Sequence, residues 1–244
     1  MKGLIDLHTH ILPFLDDGAT DEEITMKMAR QWEAGGVDRV VATPHGFTQL
    51  YHTDPKVILE SIEKWNRRFI EEGINLQLLP GMEVRFHREL INHLRNGGAL
   101  CYGAKRTGDR FLLLEFSTRE WPEETSELIY ELRLQQITPI IAHPERNLVA
   151  LKKPKIVEEA IQEGAWMQVT AGSITGEFGA TCQKATRKWF EQGWIQLIAS
   201  DAHDPNVRKP DLAQAHTYLT DKWKMASESV TCIASAETIW ATSL

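Results

Sequence analysis

Short apolar runs alternate with longer stretches of helical periodicity along the whole chain. Seven such runs occur: LIDL (4–7), RVVAT (39–43), LQLLP (76–80), FLLLE (111–115), TPIIA (138–142), WMQVT (166–170) and IQLIA (195–199). This alternation is typical of parallel β-strands connected by helices. It predicts an α/β fold, most simply a distorted seven-stranded, TIM-like (β/α)7 barrel, with a doubly wound sheet as the alternative.

The segments between these runs carry signals of helix ends. Thr20 and Glu23 are read as a capping box, and Asp54-Pro55 supplies an N-cap followed by proline. Further helices are predicted near 124–136, 154–164 and 181–193, with one or two closing helices over 210–242. Glycines expected to end helices in the left-handed conformation are Gly36, Gly73, Gly164 and Gly193. No linker or repeat divides the chain, so we expect one domain over residues 1–244.

The composition excludes several classes of protein. A formal net charge of −7 argues against a nucleic-acid-binding protein, which needs clustered lysine and arginine to contact phosphates. The three cysteines, Cys101, Cys182 and Cys232, form no CxxC pair, so neither a disulfide framework nor a thiolate zinc site is expected. With no signal peptide and no apolar run of membrane-spanning length, we expect a cytoplasmic protein without membrane insertion. The sequence leaves the oligomeric state open and is compatible with an oligomer.

Histidine and acidic residues follow nearly every predicted strand. The first strand ends in DLHTH, and alternation along extended backbone directs His8 and His10 to the same side. Other strand ends and their loops supply Asp16, Asp17, His45, Glu83, Glu115, His143, Asp201 and His203. Because ligands gather at the carboxyl ends of parallel strands, we expect these groups to share one site. Asp6 is expected to orient one of the imidazoles.

This agreement among six strand ends favours a polynuclear metal site. An isolated histidine is more often an ordinary polar residue, and that interpretation is kept for His52, His87, His93 and His216. Imidazole and carboxylate donors without thiolate suit manganese, iron or zinc. About nine donors are too many for one tetrahedral ion, so two or three divalent ions are expected, with Glu83 suited to bridge. Such a cluster points to metal-assisted hydrolysis.

Two arginines at the same rim extend this interpretation to the substrate. Arg146 and Arg208 could each hold phosphate oxygens through paired hydrogen bonds, or could pair with a nearby acid such as Glu145. Together with the metal donors they favour a phosphate ester. In the loop GFTQLYHTD, Phe47 and Tyr51 could form a wall for an aromatic ring or could pack the loop.

The chain resembles the PHP (polymerase and histidinol phosphatase) superfamily, whose fold is a distorted seven-stranded barrel. The resemblance is carried by the motifs DLHTHILPFLDDGATDEE, ATPH, GMEV, LLLEF, PIIAHPER and LIASDAH, from residue 4 to about 208. Within the superfamily these motifs are similar to the bacterial manganese-dependent protein-tyrosine phosphatases of capsular and exopolysaccharide operons, the CpsB/CapC type. The loop GFTQLYHTD departs from that type because it lacks lysine and arginine.

The resemblance implies three metal positions, with manganese as the expected ion. The implied ligands are His8, His10, Glu83 and Asp201 for one ion, Glu83, Glu115 and His143 for a second, and Asp17, His45 and His203 for a third. It also implies that Arg146 and Arg208 bind the phosphate and act in catalysis with His143. A metal-bound hydroxide would attack phosphorus directly, without a phosphocysteine intermediate.

The activity that the resemblance implies is hydrolysis of phosphotyrosine in a protein. The implied partner is the C-terminal tail of a membrane tyrosine kinase that regulates capsular or exopolysaccharide synthesis. The alternative is a small-molecule phosphomonoesterase of the same superfamily, acting on histidinol phosphate or on a sugar or nucleotide phosphate. A noncatalytic binding module is disfavoured, because none of the ligand positions has been lost.

Overall fold

The computed structural model of the protein describes residues 3–102 and 110–240. The strands are β1 (Leu4–Thr9), β2 (Val37–Ala42), β3 (His45–Gly46), β4 (Gln77–Pro80), β5 (Glu83–Arg85), β6 (Arg110–Glu115), β7 (Ile137–Ala142), β8 (Trp166–Thr170) and β9 (Leu197–Ala199). The α-helices are α1 (Glu22–Ala34), α2 (Pro55–Glu71), α3 (Leu90–Arg95), α4 (Thr125–Leu134), α5 (Leu148–Lys152), α6 (Lys155–Gln162), α7 (Ala171–Thr175), α8 (Gly179–Glu191), α9 (Leu212–Asp221) and α10 (Ala226–Trp240). A short 3-10 helix spans Pro144–Arg146.

Within the described residues, these strands pair in parallel and form two sheets. One sheet has the order β1-β2-β4, and the other has the order β3-β5-β6-β7-β8-β9. The predicted α/β fold with parallel strands is confirmed. The strand pairing differs from the expectation of one seven-stranded sheet, because it divides the strands into groups of three and six.

The division arises where two predicted strands are interrupted near their carboxyl ends. Thr43-Pro44 separates β2 from β3, and Gly81-Met82 separates β4 from β5. Proline has no N–H to continue a hydrogen-bonded ladder. A Cβ on Gly81 would lie 2.6 Å from side-chain atoms of both Tyr102 and Val41, so only glycine fits this packing. After each interruption the chain therefore continues as a strand of the second sheet, with β3 following β2 and β5 following β4.

The two faces of the strands pack into different apolar clusters. One face contributes to a cluster that contains Ile5, Leu7, Val41, Leu113, Ile140 and Leu197. The helix-facing side chains join a larger cluster with the buried Trp32, Trp65 and Trp189. Burial of both faces explains why the strands are nearly continuous apolar runs in the sequence.

The helix ends confirm most of the expected signals. Asp54 caps α2 by accepting a hydrogen bond from the Lys56 N–H. The prediction of a capping box at Thr20 and Glu23 is wrong. Asp21 caps α1 instead, and its side chain accepts a hydrogen bond from the Ile24 N–H at 2.9 Å. The predicted helix-ending glycines all have positive φ, with 79° at Gly36, 68° at Gly73, 105° at Gly164 and 70° at Gly193.

The closing helices are two, α9 and α10, and residues 241 and 242 of the predicted stretch lie outside the described residues. Among residues 3–102 and 110–240, no helix combines the length and the apolar character that crossing a membrane requires.

Candidate metal centre

The nine predicted metal ligands lie together at the carboxyl ends of the strands. Their donor atoms form four groups, and within each group the donors lie within 4.8 Å of one another. The groups are His10, Asp17, His45 and His203; His8, His10 and Asp201; His8, Glu83 and His143; and His45, Glu83 and Glu115. Because His8, His10, His45 and Glu83 each belong to two groups, the four groups form one connected cluster.

Two imidazole nitrogens at the centre of the cluster lie close to each other and to two carboxylate oxygens. His8 Nε2 lies 3.3 Å from His10 Nε2, from Glu83 Oε2 and from Asp201 Oδ1. His10 Nε2 lies 3.3 Å from Glu83 Oε2 and 3.4 Å from Asp201 Oδ1. Ligands that surround one cation tetrahedrally at about 2.1 Å are about 3.4 Å apart. The spacing of His8 Nε2, His10 Nε2 and Asp201 Oδ1 therefore fits three ligands of one shared cation.

Hydrogen bonds at the far side of three imidazole rings direct the Nε2 atoms into the cluster. His8 Nδ1 donates to Gln168 Oε1 at 2.8 Å, and His10 Nδ1 donates to Asp16 Oδ2 at 2.6 Å. His203 Nδ1 donates to a backbone carbonyl oxygen at 2.9 Å. Because each acceptor is an oxygen, the proton lies on Nδ1 and the Nε2 lone pair is free to bind a metal.

Two of these acceptors, Gln168 and Asp16, were not predicted from the sequence as residues that orient a metal ligand. Gln168 lies in the middle of β8 and is buried, so a long polar side chain inside a mainly apolar strand was the available signal. Asp16 was recognised only as a loop acid. It also accepts hydrogen bonds from the backbone N–H groups of Gly18, at 2.9 Å, and His45, at 3.1 Å. Asp16 thus fixes the loop that carries Asp17.

The expected role of Asp6 is wrong. Asp6 Oδ2 accepts a hydrogen bond from Trp32 Nε1 at 2.9 Å, and Oδ1 accepts one from the Ser200 N–H at 3.0 Å. The register of β1 against β2 shifts between Asp6 and Thr9. The regular alternation of side chains is lost there, so Asp6 faces α1 while His8 faces the cluster.

Neighbouring charges shift the pKa values of the carboxyl groups within the cluster. Burial alone would raise the pKa of Glu83, but His8 and His45 hold it well below its usual range. Burial would also raise the pKa of Asp201, but the neighbouring His8 and Arg208 hold it well below its usual range. Glu115 differs, because burial and the Glu83 carboxylate raise its pKa to about 7.

Several donor atoms lack hydrogen-bond partners although they are buried. Within the described part of the chain these include His45 Nδ1, Glu115 Oε2, Asp201 Oδ1 and His203 Nε2. Buried polar atoms are normally paired, so four unpaired atoms in one cluster are exceptional. Imidazole nitrogens and carboxylate oxygens are the ligands that manganese, iron and zinc accept in catalytic sites. The donor set therefore fits divalent cations.

Two members of the cluster have unusual backbone conformations. His143, directly after β7, has φ 35°, and Asp201, after β9, has φ 54°. Positive φ is uncommon for residues other than glycine and costs on the order of 1–3 kcal/mol. Such strained residues concentrate at functional sites, where the surrounding structure holds them in place.

Both predicted phosphate-binding arginines converge on one carboxylate oxygen. Arg146 Nη1 and Arg208 Nη2 each donate to Asp201 Oδ2 at 2.5 Å. The alternative that Arg146 pairs with a nearby acid is met by Asp201 and not by Glu145, because the buried Glu145 accepts its hydrogen bonds from residues 170–173. The two guanidinium groups therefore lie at the edge of the metal-donor cluster.

A cavity of about 730 Å³ opens onto this edge. Its lining includes Arg146 and Arg208, several of the predicted metal ligands, and the loop that contains Phe47 and Tyr51. The four histidines predicted to be ordinary residues are absent from all the donor groups found among the described residues. His52, His87 and His93 surround the Phe47 ring, and His216 lies beside Ser229.

Parallel strands that end in a cluster of imidazoles and carboxylates define this chain as an α/β protein with a candidate polynuclear metal site. The chain belongs to the family described as "Capsular polysaccharide synthesis, CpsB/CapC", whose model matches residues 4–239.

Individual relatives agree with this assignment. The chain is 35% identical over 205 residues to the tyrosine-protein phosphatase YwqE of Bacillus subtilis (strain 168), over 84% of this chain and 79% of the relative. It is 25% identical over 218 residues to the tyrosine-protein phosphatase CpsB of Streptococcus agalactiae, covering 87% of this chain and 88% of the relative. A solved structure is similar over 99% of this chain and 96% of the matched chain, with TM-score 0.91 and 31% identity. That structure comes from a study of YwqE from Bacillus subtilis and CpsB from Streptococcus pneumoniae, described as unique metal-dependent tyrosine phosphatases.

Proposed function

We propose that this protein is a metal-dependent phosphatase that hydrolyses phosphotyrosine in proteins. The observation that carries the proposal is the juxtaposition of nine metal donors with two arginines at one cavity. Family membership supports it, because the relatives matched over most of the chain are named tyrosine-protein phosphatases. The family description supports a role in capsular polysaccharide synthesis. The substrate that we propose is the C-terminal tail of a membrane tyrosine kinase.

The metal ligands in this proposal are the nine clustered residues, holding two or three divalent ions. We expect manganese, with iron and zinc as the other ions that accept these donors. Such ions activate the nucleophile and stabilise negative charge on phosphoryl oxygens. Glu83, which contributes both carboxylate oxygens to close contacts with imidazoles, is placed to bridge two ions.

Arg146 and Arg208 bind the phosphoryl group in this proposal. Each guanidinium presents several N–H donors in a plane, which matches the geometry of phosphate oxygens. Their shared contact with Asp201 holds both groups beside the cluster, while other N–H donors stay available for the substrate. Burial and Arg146 lower the pKa of His143 to about 4, so this imidazole is neutral at pH 7 and suited to bind a metal.

A cysteine nucleophile does not fit these side chains. Burial raises the pKa of Cys101 to about 11 and that of Cys232 to about 12, and it also raises the pKa of Cys182. A thiol must be deprotonated to act as a nucleophile, so all three are poorly suited at neutral pH. No cysteine of the described residues lines the cavity.

We also infer that the two sheets are arcs of one distorted barrel with seven strand positions, within a single domain over residues 1–244. Counting β2 with β3 and β4 with β5 gives seven positions in chain order. Ala202, just after β9, forms a parallel bridge with Thr9 of β1, which brings the first and last positions together. The shared apolar cluster on one face of the strands supports the same arrangement.

The decisive experiment measures hydrolysis by the purified protein with manganese, iron or zinc added. The substrates are a phosphotyrosine peptide, the matching phosphoserine peptide and histidinol phosphate. We expect the highest kcat/KM for phosphotyrosine, and loss of activity on chelation. Preference for histidinol phosphate would favour the small-molecule alternative, and activity that survives complete metal removal would refute the metal-dependent mechanism.

A substitution of Arg146 tests the phosphate-binding role. Arg146→Lys keeps the charge but removes the planar pair of donors, so kcat/KM is expected to fall about 100-fold. The matched control is Arg88→Lys, because Arg88 is an exposed residue that pairs with Glu124 outside the cavity. Equal activity of the two variants would contradict the assignment.

A further inference from the structure

The loop between β3 and α2 contributes two aromatic side chains to the cavity lining, Phe47 and Tyr51. The surroundings of the two rings are different, and this difference separates their roles.

The Phe47 ring packs against other side chains of the protein. The ring centroids of His52, His87 and His93 lie 4.8, 4.6 and 4.6 Å from the centroid of the Phe47 ring. Phe47 also packs against the main apolar core. These contacts on several sides show that the Phe47 ring anchors the loop.

Tyr51 is held in place mainly through its backbone. The Thr48 hydroxyl accepts a hydrogen bond from the Tyr51 N–H at 2.8 Å, and the Thr48 N–H donates to the Tyr51 carbonyl oxygen at 3.0 Å. These bonds close a tight turn that fixes the position of the side chain without covering its ring. The ring is only partly buried and lines the cavity.

The orientation of the Tyr51 ring is related to the metal-donor cluster. Its plane is inclined by only 13° to the ring of His45, with a centroid separation of 6.0 Å. His45 is a member of the donor cluster, and its backbone N–H donates to Asp16. Tyr51 therefore presents a flat aromatic surface next to the donors, at a position fixed by its turn with Thr48.

Resting on the proposed function, we propose that Tyr51 is a specificity-determining residue that recognises the aromatic ring of phosphotyrosine. In an aryl phosphate the ring is bonded directly to the ester oxygen, so a phosphoryl group at Arg146 and Arg208 keeps the ring inside the cavity. Aromatic rings attract one another in offset or edge-to-face arrangements. An alkyl phosphate such as phosphoserine has no ring to make this contact. Tyr51 thus favours aryl over alkyl phosphate monoesters.

The test compares two ligands that bind without being hydrolysed. Phenylphosphonate carries an aromatic ring and methylphosphonate does not, and their dissociation constants are measured by calorimetry on the manganese-loaded protein. Tyr51→Ala and Tyr51→Leu are expected to weaken phenylphosphonate binding about tenfold and to leave methylphosphonate binding unchanged. Tyr51→Phe keeps the ring and should retain phenylphosphonate affinity. The control is Tyr130→Ala, which removes an exposed tyrosine of α4 outside the cavity.

The outcomes separate this inference from the proposed function. A selective loss of phenylphosphonate affinity in both Tyr51→Ala and Tyr51→Leu, restored in Tyr51→Phe, supports the role of the ring. Equal weakening of both ligands, or no change in either, overturns it even when the wild-type protein hydrolyses a phosphotyrosine peptide. Failure of the manganese-loaded wild-type protein to hydrolyse that peptide refutes the proposed function itself, and the inference with it.

Discussion

Acid is expected to destabilise the protein through His216, a buried residue that belongs to none of the metal-donor groups. His216 is buried on α9, with Nδ1 2.8 Å from Ser229 Oγ on α10. Burial lowers the pKa of His216 from 6.5 to about 4. The folded protein therefore holds this imidazole neutral over a pH range in which the unfolded chain protonates it.

The sign and size of the effect follow from this difference in pKa. Because the folded pKa is the lower one, the stabilisation is complete above pH 6.5 and is lost as the pH falls towards 4. The full difference corresponds to about 3.4 kcal/mol, of which about 2 kcal/mol is lost by pH 5. A change of that size lowers the Tm of a chain of this length by about 4–8 °C.

The measurement compares wild-type protein with His216→Asn, whose amide can replace Nδ1 as the partner of Ser229 but does not titrate. Urea unfolding is followed by tryptophan fluorescence at pH 7.5, 6 and 5, with a chelator present so that metal release does not contribute. The free-energy difference between the two proteins should shift by about 2 kcal/mol in favour of the variant between pH 7.5 and pH 5. Parallel pH profiles for the two proteins would refute the argument, since they would show that His216 does not titrate differently on folding.

Further predictions concern the metal-donor cluster. A Cβ on Gly18 would lie 2.1 Å from the His10 carbonyl oxygen, so Gly18→Ala is expected to displace the loop and to lower kcat/KM about 100-fold; unchanged kinetics would contradict this packing. Gln168→Ala removes the acceptor for His8 Nδ1 and should weaken metal affinity about 10- to 100-fold in a metal titration, with an unchanged circular dichroism spectrum. Manganese at 100 times its Kd should add about 2.7 kcal/mol of stability, so chelation should lower the Tm by about 5–10 °C in a thermal scan.

The local apolar pattern of the sequence predicts where individual strands lie, but it does not predict contacts between distant parts of the chain. Strands β7 and β8 begin within a residue of the predicted runs, because mainly apolar segments that follow the end of a helix leave few alternatives. The interruption at Gly81 was not predictable. It depends on Tyr102 and Val41, which are distant in sequence and approach the glycine only in the folded chain.

In the candidate site, too, the sequence predicts some side chains and not others. The nine donors could be found because they lie at the ends of predicted strands or in the loops that follow, and parallel topology brings strand ends together whatever the details of packing. Residues that orient those donors have no such positional rule. Gln168 reaches His8 across 160 positions of sequence, whereas Asp6, only two positions away, is diverted to Trp32 by an irregularity in β1. Position at the end of a strand therefore predicts the candidate metal donors here far better than proximity in sequence predicts the residues that orient them.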